Sequence, residues 1–135
     1  MIFSNFFALD GRGRHSRSYA DFAADFRSKL WFSYRRNFEP LYQWPRNPTH
    51  TDAGWGCMLR AGQMLLAETF LRHFLQRDWR LPALRAPRLL PHKYFEILSL
   101  FADRQSRTSL FSIHNMASAG EQVLNLTAGR WYGPT

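Results

Sequence analysis

The chain has 135 residues, 45% of them hydrophobic and 16% aromatic, enough for one packed domain or part of one and too apolar for a disordered segment. Its formal charge of +8 comes without zinc-finger spacing, an arginine–aromatic repeat or another nucleic-acid motif, so it reads as a solvated basic face and no nucleic-acid partner is expected. The single cysteine, Cys57, excludes an internal disulfide and fits a reducing compartment such as the cytoplasm.

Residues 1–20 read as a mobile N-terminal segment. "MIFSNFFALD" lacks the basic start of a targeting signal and is too short to span a bilayer. "DGRGRHSRS", Asp10 to Ser18, is a glycine- and arginine-rich loop. From Asp21 the spacing of Phe22, Phe26 and Leu30 predicts a helix. Alternation follows, with Leu30, Phe32, Tyr34 and Phe38 on one side and Ser33 and Arg35 on the other, which predicts an extended segment. Glu39 to Asp52 holds three prolines and reads as a loop.

A helix is predicted from Cys57 to about Gln76. At about 100° per residue, Leu59, Met64, Leu66, Ala67, Phe70, Leu71 and Phe74 form one apolar arc, opposite Glu68, Thr69, Arg72, His73 and Gln76. Met58, Ala61 and Leu65 extend apolar character onto that opposite side, so the first turns are expected to be buried all round and the last turns half exposed. Glu68 and Arg72 interrupt the run, and no transmembrane segment is predicted. Pro82, Pro87 and Pro91 forbid helix until Lys93, where "KYFEILSLFAD" supplies a second helix. Ser112 is placed to cap a third through "IHNMASAG", ended by Gly120. "GRWYGPT" reads as a turn leading into a helix, with Pro134 in its first turn.

Two readings of Cys57 stand side by side. It is a small buried hydrophobe, the common fate of a lone thiol, or a nucleophile. For the second, the thiol sits at a helix start, where unpaired N–H groups and the helix dipole favour a negatively charged sulfur. Gly54 and Gly56 let backbone pass close to a ligand. A dinucleotide loop is excluded because Leu59 stands at the third glycine position and no Gly-Lys-Ser/Thr follows. Metal binding is excluded because His15, His50, His73, His92 and His114 are scattered around one thiol. A thiol nucleophile also needs a base. His73, sixteen residues along the same helix, lies roughly 24 Å away at 1.5 Å per residue. His50 and His114 remain as candidates.

"DAGWGCMLRAGQMLLA" closely resembles the nucleophile segment of the autophagins, the cysteine proteases of autophagy. "SKLWFSYRRNF" upstream, and "RDWR", "FSIHNMASAG" and "GRWYGPT" downstream, resemble the family in the same order, from about Asp21 to the C-terminus. The resemblance implies an α+β, papain-like cysteine protease domain that needs no cofactor and acts as a monomer in its complete form. It also implies cleavage of a ubiquitin-like autophagy modifier after its C-terminal glycine, release of that modifier from phosphatidylethanolamine, and transient contact with the autophagosomal membrane. Cys57 matches the nucleophile and Tyr34 the tyrosine that helps hold the oxyanion. Trp131 matches the tryptophan over the glycine-accepting cleft, with Gly54, Trp55 and Gly56 counted beside it as substrate-binding.

The family's catalytic Asp and His come from an Asp-Pro-His motif, and no such tripeptide occurs in the 135 residues. Residues 21–135 therefore read as the N-terminal part of such a domain, truncated before the Asp-His segment, and the chain alone is expected to be inactive and poorly stable. The alternative is a catalytically silent module that binds the modifier or other partners through its basic and aromatic surface.

Overall fold

The computed structural model describes residues 15–43, 46–82 and 90–133. Helix α1 (His15–Arg27) begins six residues before the expected Asp21. No glycine or proline falls between Gly13 and Arg27, so nothing in the backbone delays the helix until the apolar repeat begins. The last residues of the expected loop are therefore helical, and residues 1–14 lie outside the described ones. Side chains bind α1 to its surroundings. Lys29 pairs with Asp25 and Glu68, Arg80 pairs with Asp25, and Leu81 N–H donates to Ser28 Oγ at 2.8 Å.

The extended segment leads into β1 (Arg36–Gln43), which pairs antiparallel with β2 (Arg46–Thr51). The three prolines made this stretch read as a loop, yet it is a hairpin. Its ladder is irregular: between the pairs Arg36–Thr51 and Leu41–Thr49, five residue steps on β1 face two on β2. Asn37 bulges there at φ 60°, a left-handed conformation that asparagine tolerates. In a two-stranded sheet each strand keeps one free edge, and a proline whose nitrogen faces that edge forgoes no ladder bond.

Helix α2 (Cys57–Leu75) follows the expected span, but its first turns are not buried all round. Arg60 and Gln63 face inward, while Met58, Ala61 and Leu65 face out, Leu65 being 71% exposed. Phe26, Leu30, Trp31, Ala61, Met64 and Leu65 line a shallow groove there. Trp31 is 77% exposed, whereas its neighbour Phe32 packs on Phe101 with ring centroids 5.2 Å apart. Among the described residues no helix is long and apolar enough to cross a membrane.

Helix α3 (His92–Ser99) starts directly after Pro91 and ends earlier than the apolar spacing suggests, with Leu100 and Phe101 closing the last turn on Ile97 and Leu98 carbonyls. Helix α4 (Ile113–Leu124) is capped by Ser112, whose hydroxyl accepts from Asn115 N–H at 3.2 Å, as expected. It does not stop at Gly120. Asn125 adopts φ 53° and ψ 33°, and Leu126 N–H closes back on the Gly120 carbonyl, a left-handed helix ending. Gly120 serves packing instead: a Cβ there would lie 2.6 Å from Tyr132 Cε1. After a turn at Thr127–Arg130 the chain runs through Trp131 to Gly133, and the helix expected around Pro134 falls outside the described residues.

Two apolar clusters result, an α+β arrangement strung on α2. One joins Phe38 and Leu41 of the hairpin to Trp55, Leu59, Ile113 and Tyr132. The other joins Ala67 and Leu71 of α2 to Tyr94 and Ile97 of α3 and to Phe101. Fully burying a side chain such as Ile97 or Ile113 stabilises by about 1.5–3 kcal/mol.

The Gly120–Tyr132 contact yields a test. Gly120→Ala gains about 1 kcal/mol in helix propensity but incurs an overpacking cost of about 1–3 kcal/mol. Tyr132 is buried and its hydroxyl donates to the Leu126 carbonyl at 3.0 Å, so the ring has little freedom to yield. The expected outcome is a lower urea midpoint. A raised midpoint would show that the ring moves aside.

Candidate active site

Everything around Cys57 is built on the turn that precedes it. Asp52, fully buried, directly follows β2, and its carbonyl accepts from Trp55 N–H at 3.3 Å and Gly56 N–H at 2.8 Å. The two glycines have separate reasons. Gly54 sits at φ 88°, where a side chain is strained. Gly56 leaves no room for a Cβ, which would stand 2.7 Å from the Asp52 side chain. The pair thus makes the turn. Trp55 turns inward: its ring is buried near Tyr132 and its N–H donates to the Thr51 carbonyl at 2.9 Å.

Cys57 is the first residue of α2 and is half-buried. Gly56 precedes it as the cap residue without a side-chain hydrogen bond, so no capping side chain competes for the first-turn N–H groups. Trp131 Nε1–H donates to Cys57 Sγ at 3.1 Å, although its ring is 66% exposed. Tyr34 approaches from the segment before β1, half exposed. Partial loss of water, then the charge of Cys57, a hydrogen bond with the Cys57 side chain and the charge of Asp52 all push the Tyr34 pKa up. The phenol is protonated at neutral pH at its ordinary value, and the upward shift extends its ability to donate to higher pH. A sulfur at a helix start, flanked by an indole N–H and a phenol O–H, is suited to nucleophilic attack on a carbonyl whose oxygen gains charge.

The candidate bases are tied elsewhere. His50 Nδ1 lies 3.2 Å from the Phe38 carbonyl. His114 is buried, with Nε2 2.6 Å from the Glu39 carbonyl and its ring edge-on to Phe38, and its Nδ1 has no hydrogen-bond partner among the described residues. His73 packs on Phe74. The fold therefore gathers Cys57, Tyr34 and Trp131 and holds His50 and His114 on the backbone of β1. Among the described residues no three His, Cys, Asp or Glu side chains gather as a metal site.

Sequence reading missed the buried charges beneath the site. Arg60 Nε–H donates to Asp52 Oδ2 at 2.7 Å, and its other nitrogens donate to Gln63 Oε1 at 3.0 Å and to Asp103 at 2.8 and 3.2 Å. Burial lowers the guanidinium pKa, but hydrogen bonds and charge from Asp52 and Asp103 outweigh it and the net direction is up. Removing one partner from such a buried pair costs about 3–5 kcal/mol. A signal was available: Arg60 and Gln63 share the helical face of Ala67 and Leu71, where a polar pair needs partners.

A sequence profile of the Peptidase C54 catalytic domain matches residues 19–135. "Cysteine protease ATG4b" of Arabidopsis thaliana is 45% identical over 119 residues, which are 87% of this chain and 23% of that protein. "Cysteine protease ATG4A" of Xenopus laevis is 40% identical over 114 residues, 84% of this chain and 26% of that protein. "Cysteine protease ATG4B" of Oryza sativa subsp. indica is 39% identical over 118 residues, 86% and 22%. The chain thus spans about a quarter of the length of these relatives.

The Tyr34–Cys57 contact is open to direct measurement by NMR titration of a ¹³C-labelled Tyr34 ring. The midpoint is expected above the ordinary 10.0, and Cys57→Ala should bring it part of the way back. The associated stabilisation is present below pH 10.0 and is lost as pH rises through the raised midpoint. An unshifted midpoint would separate the phenol from the sulfur.

Proposed function

Since the chain belongs to the Peptidase C54 family of cysteine proteases, we propose that it carries the nucleophile and oxyanion-binding part of a site that cleaves a ubiquitin-like autophagy modifier after its C-terminal glycine. The same chemistry, applied to the amide joining that glycine to phosphatidylethanolamine, releases the lipidated modifier. The observation that carries this reading is the Trp131 indole N–H donating to the Cys57 sulfur at the start of α2, with the raised Tyr34 pKa as support.

In this reading Cys57 Sγ attacks the glycine carbonyl carbon, and the C–N bond breaks to leave a thioester and a free amine. Water then hydrolyses the thioester and returns the thiol. Tyr34 donates to the carbonyl oxygen as it gains negative charge, and Trp131 covers a cleft that admits glycine but no larger side chain. Gly54, Trp55 and Gly56 shape the same wall, the glycines through the turn and Trp55 from beneath. The thiol proton must pass to a base and on to the leaving amine. With His50 and His114 held on β1, the reading assigns that base to the complete catalytic domain.

The basic surface suits transient contact with the anionic headgroups of an autophagosomal membrane. The reduced thiol suits the cytoplasm. The enzyme works as a monomer and without a cofactor. A second reading, a catalytically silent module that binds the modifier, draws on the exposed apolar groove beside α2.

Cleavage of a modifier precursor by the full-length protein separates the two. Cys57→Ala should abolish turnover, and comparable rates in variant and parent would remove Cys57 from the chemistry. Tyr34→Phe should lower kcat by up to about 10²–10³-fold with little change in KM, because an oxyanion donor acts in the transition state. An unchanged kcat would leave Tyr34 with a packing role alone.

A further inference from the structure

We propose that Asp52 is a positioning residue, joining the Tyr34 segment to the Cys57 turn so that phenol and sulfur are held in register. The proposal rests on the protease reading for its kinetic consequence but on geometry alone for its structural one. Asp52 Oδ1 accepts from the backbone N–H of Arg35, the residue after Tyr34, at 2.7 Å. Its own N–H donates to the Arg35 carbonyl at 3.4 Å, and its carbonyl accepts from Gly56, the residue before Cys57, at 2.8 Å. One residue thus grips the immediate chain neighbour of each functional side chain.

The grip is fixed from behind. Arg60 holds Oδ2, and Gln63 and Asp103 hold Arg60 in turn. Gly56 packs against Asp52 with no room for a side chain, since a Cβ there would stand 2.7 Å from the Asp52 side chain. Thr51 Oγ1 adds a second tie, donating to the Arg35 carbonyl at 2.9 Å. Tyr34 and Cys57 are otherwise 23 residues apart and come from separate elements. Since a misplacement of about 1 Å in a reacting pair can cost on the order of 10²-fold in rate, this joint is expected to govern turnover without touching substrate.

Asp52→Asn tests the joint with almost no change of volume. Both carboxylate oxygens face N–H donors, from Arg35 and from Arg60, and an amide offers only one acceptor, so one contact becomes donor against donor. Asp103→Asn is the control. It damages the other arm of the Arg60 ion pair and loosens a 3.8 Å pairing with the exposed Arg35 side chain, but leaves both bonds from Asp52 to the backbone of the Tyr34 and Cys57 segments. The double variant Asp52→Asn with Arg60→Gln, built on the Asp103→Asn background so that no carboxylate is left unpaired, restores a matched donor and acceptor between the two side chains and serves as the rescue.

Two readouts are taken beside the urea midpoint of each full-length variant. The first needs no activity: the amount by which Cys57→Ala lowers the Tyr34 NMR titration midpoint, measured in each background. It should fall by more than half in Asp52→Asn, persist in Asp103→Asn and return in the double variant. The second is kinetic: kcat should fall at least tenfold in Asp52→Asn with KM within twofold, and less than threefold in Asp103→Asn. Persistence of the Tyr34–Cys57 coupling in Asp52→Asn would overturn the proposal, as would equal kinetic losses in the two single variants at matched midpoints. If Asp52→Asn does not fold, the double variant decides, and loss of coupling there overturns it. Should Cys57→Ala retain cleavage, the protease reading falls and the titration readout alone decides the role of Asp52.

Discussion

A buried guanidinium shared between two carboxylates is the constraint on which this structure turns. Arg60 is enclosed near the middle of the molecule and reaches Asp52 at the end of the hairpin and Asp103 beyond α3. Through Gln63, whose amide donates to the Phe111 carbonyl at 2.7 Å, the same polar set reaches the segment entering α4. It lies between two apolar clusters strung on α2. Each cluster is non-directional and tolerates sliding, whereas charge-assisted hydrogen bonds are not and do not. The ion pair therefore sets where the hairpin, α2 and the loop after α3 meet. Desolvation makes such pairs poor sources of net stability, and fixing a unique arrangement is the use that the geometry here favours.

That arrangement explains the form of the site. The sulfur stands on a turn whose shape Asp52 and two glycines dictate, and its partners come from far apart in the chain, Tyr34 before the hairpin and Trp131 after α4. Trp131 reaches the sulfur because Tyr132, its neighbour, is anchored in the core by its ring and hydroxyl. An exposed side chain is thereby held by a buried one. Tyr34 is held in the same manner through Arg35, whose backbone N–H is bonded to Asp52.

The inverted first turns of α2 follow from the same ion pair. Arg60 and Gln63 take the inward positions because their partners are inside, and Met58, Ala61 and Leu65 are left on the outer face. A basic side chain and an amide would be costly there without complete pairing, and both are paired. The exposed face continues into the groove by Trp31, so α2 carries polar contacts within and apolar ones without along part of its length.

The sequence by itself determined the helix that starts at Cys57, the existence and start of the next one beside Lys93, the Ser112 cap and the family, because helical periodicity, capping chemistry and a dense local motif are written in neighbouring residues. It also determined that Cys57 begins a helix, and through resemblance that Tyr34 and Trp131 belong with it. Tertiary structure decided what depends on distant partners. The proline-bearing stretch became a hairpin because bulged outer edges spare the missing N–H groups, and Gly120 became a packing residue because Tyr132 folds back onto α4. Above all, the partners of Arg60 could not be read from α2 alone: its place on the apolar face shows that it needs pairing, but only the fold brings Asp52 and Asp103, eight and forty-three residues away, to supply it.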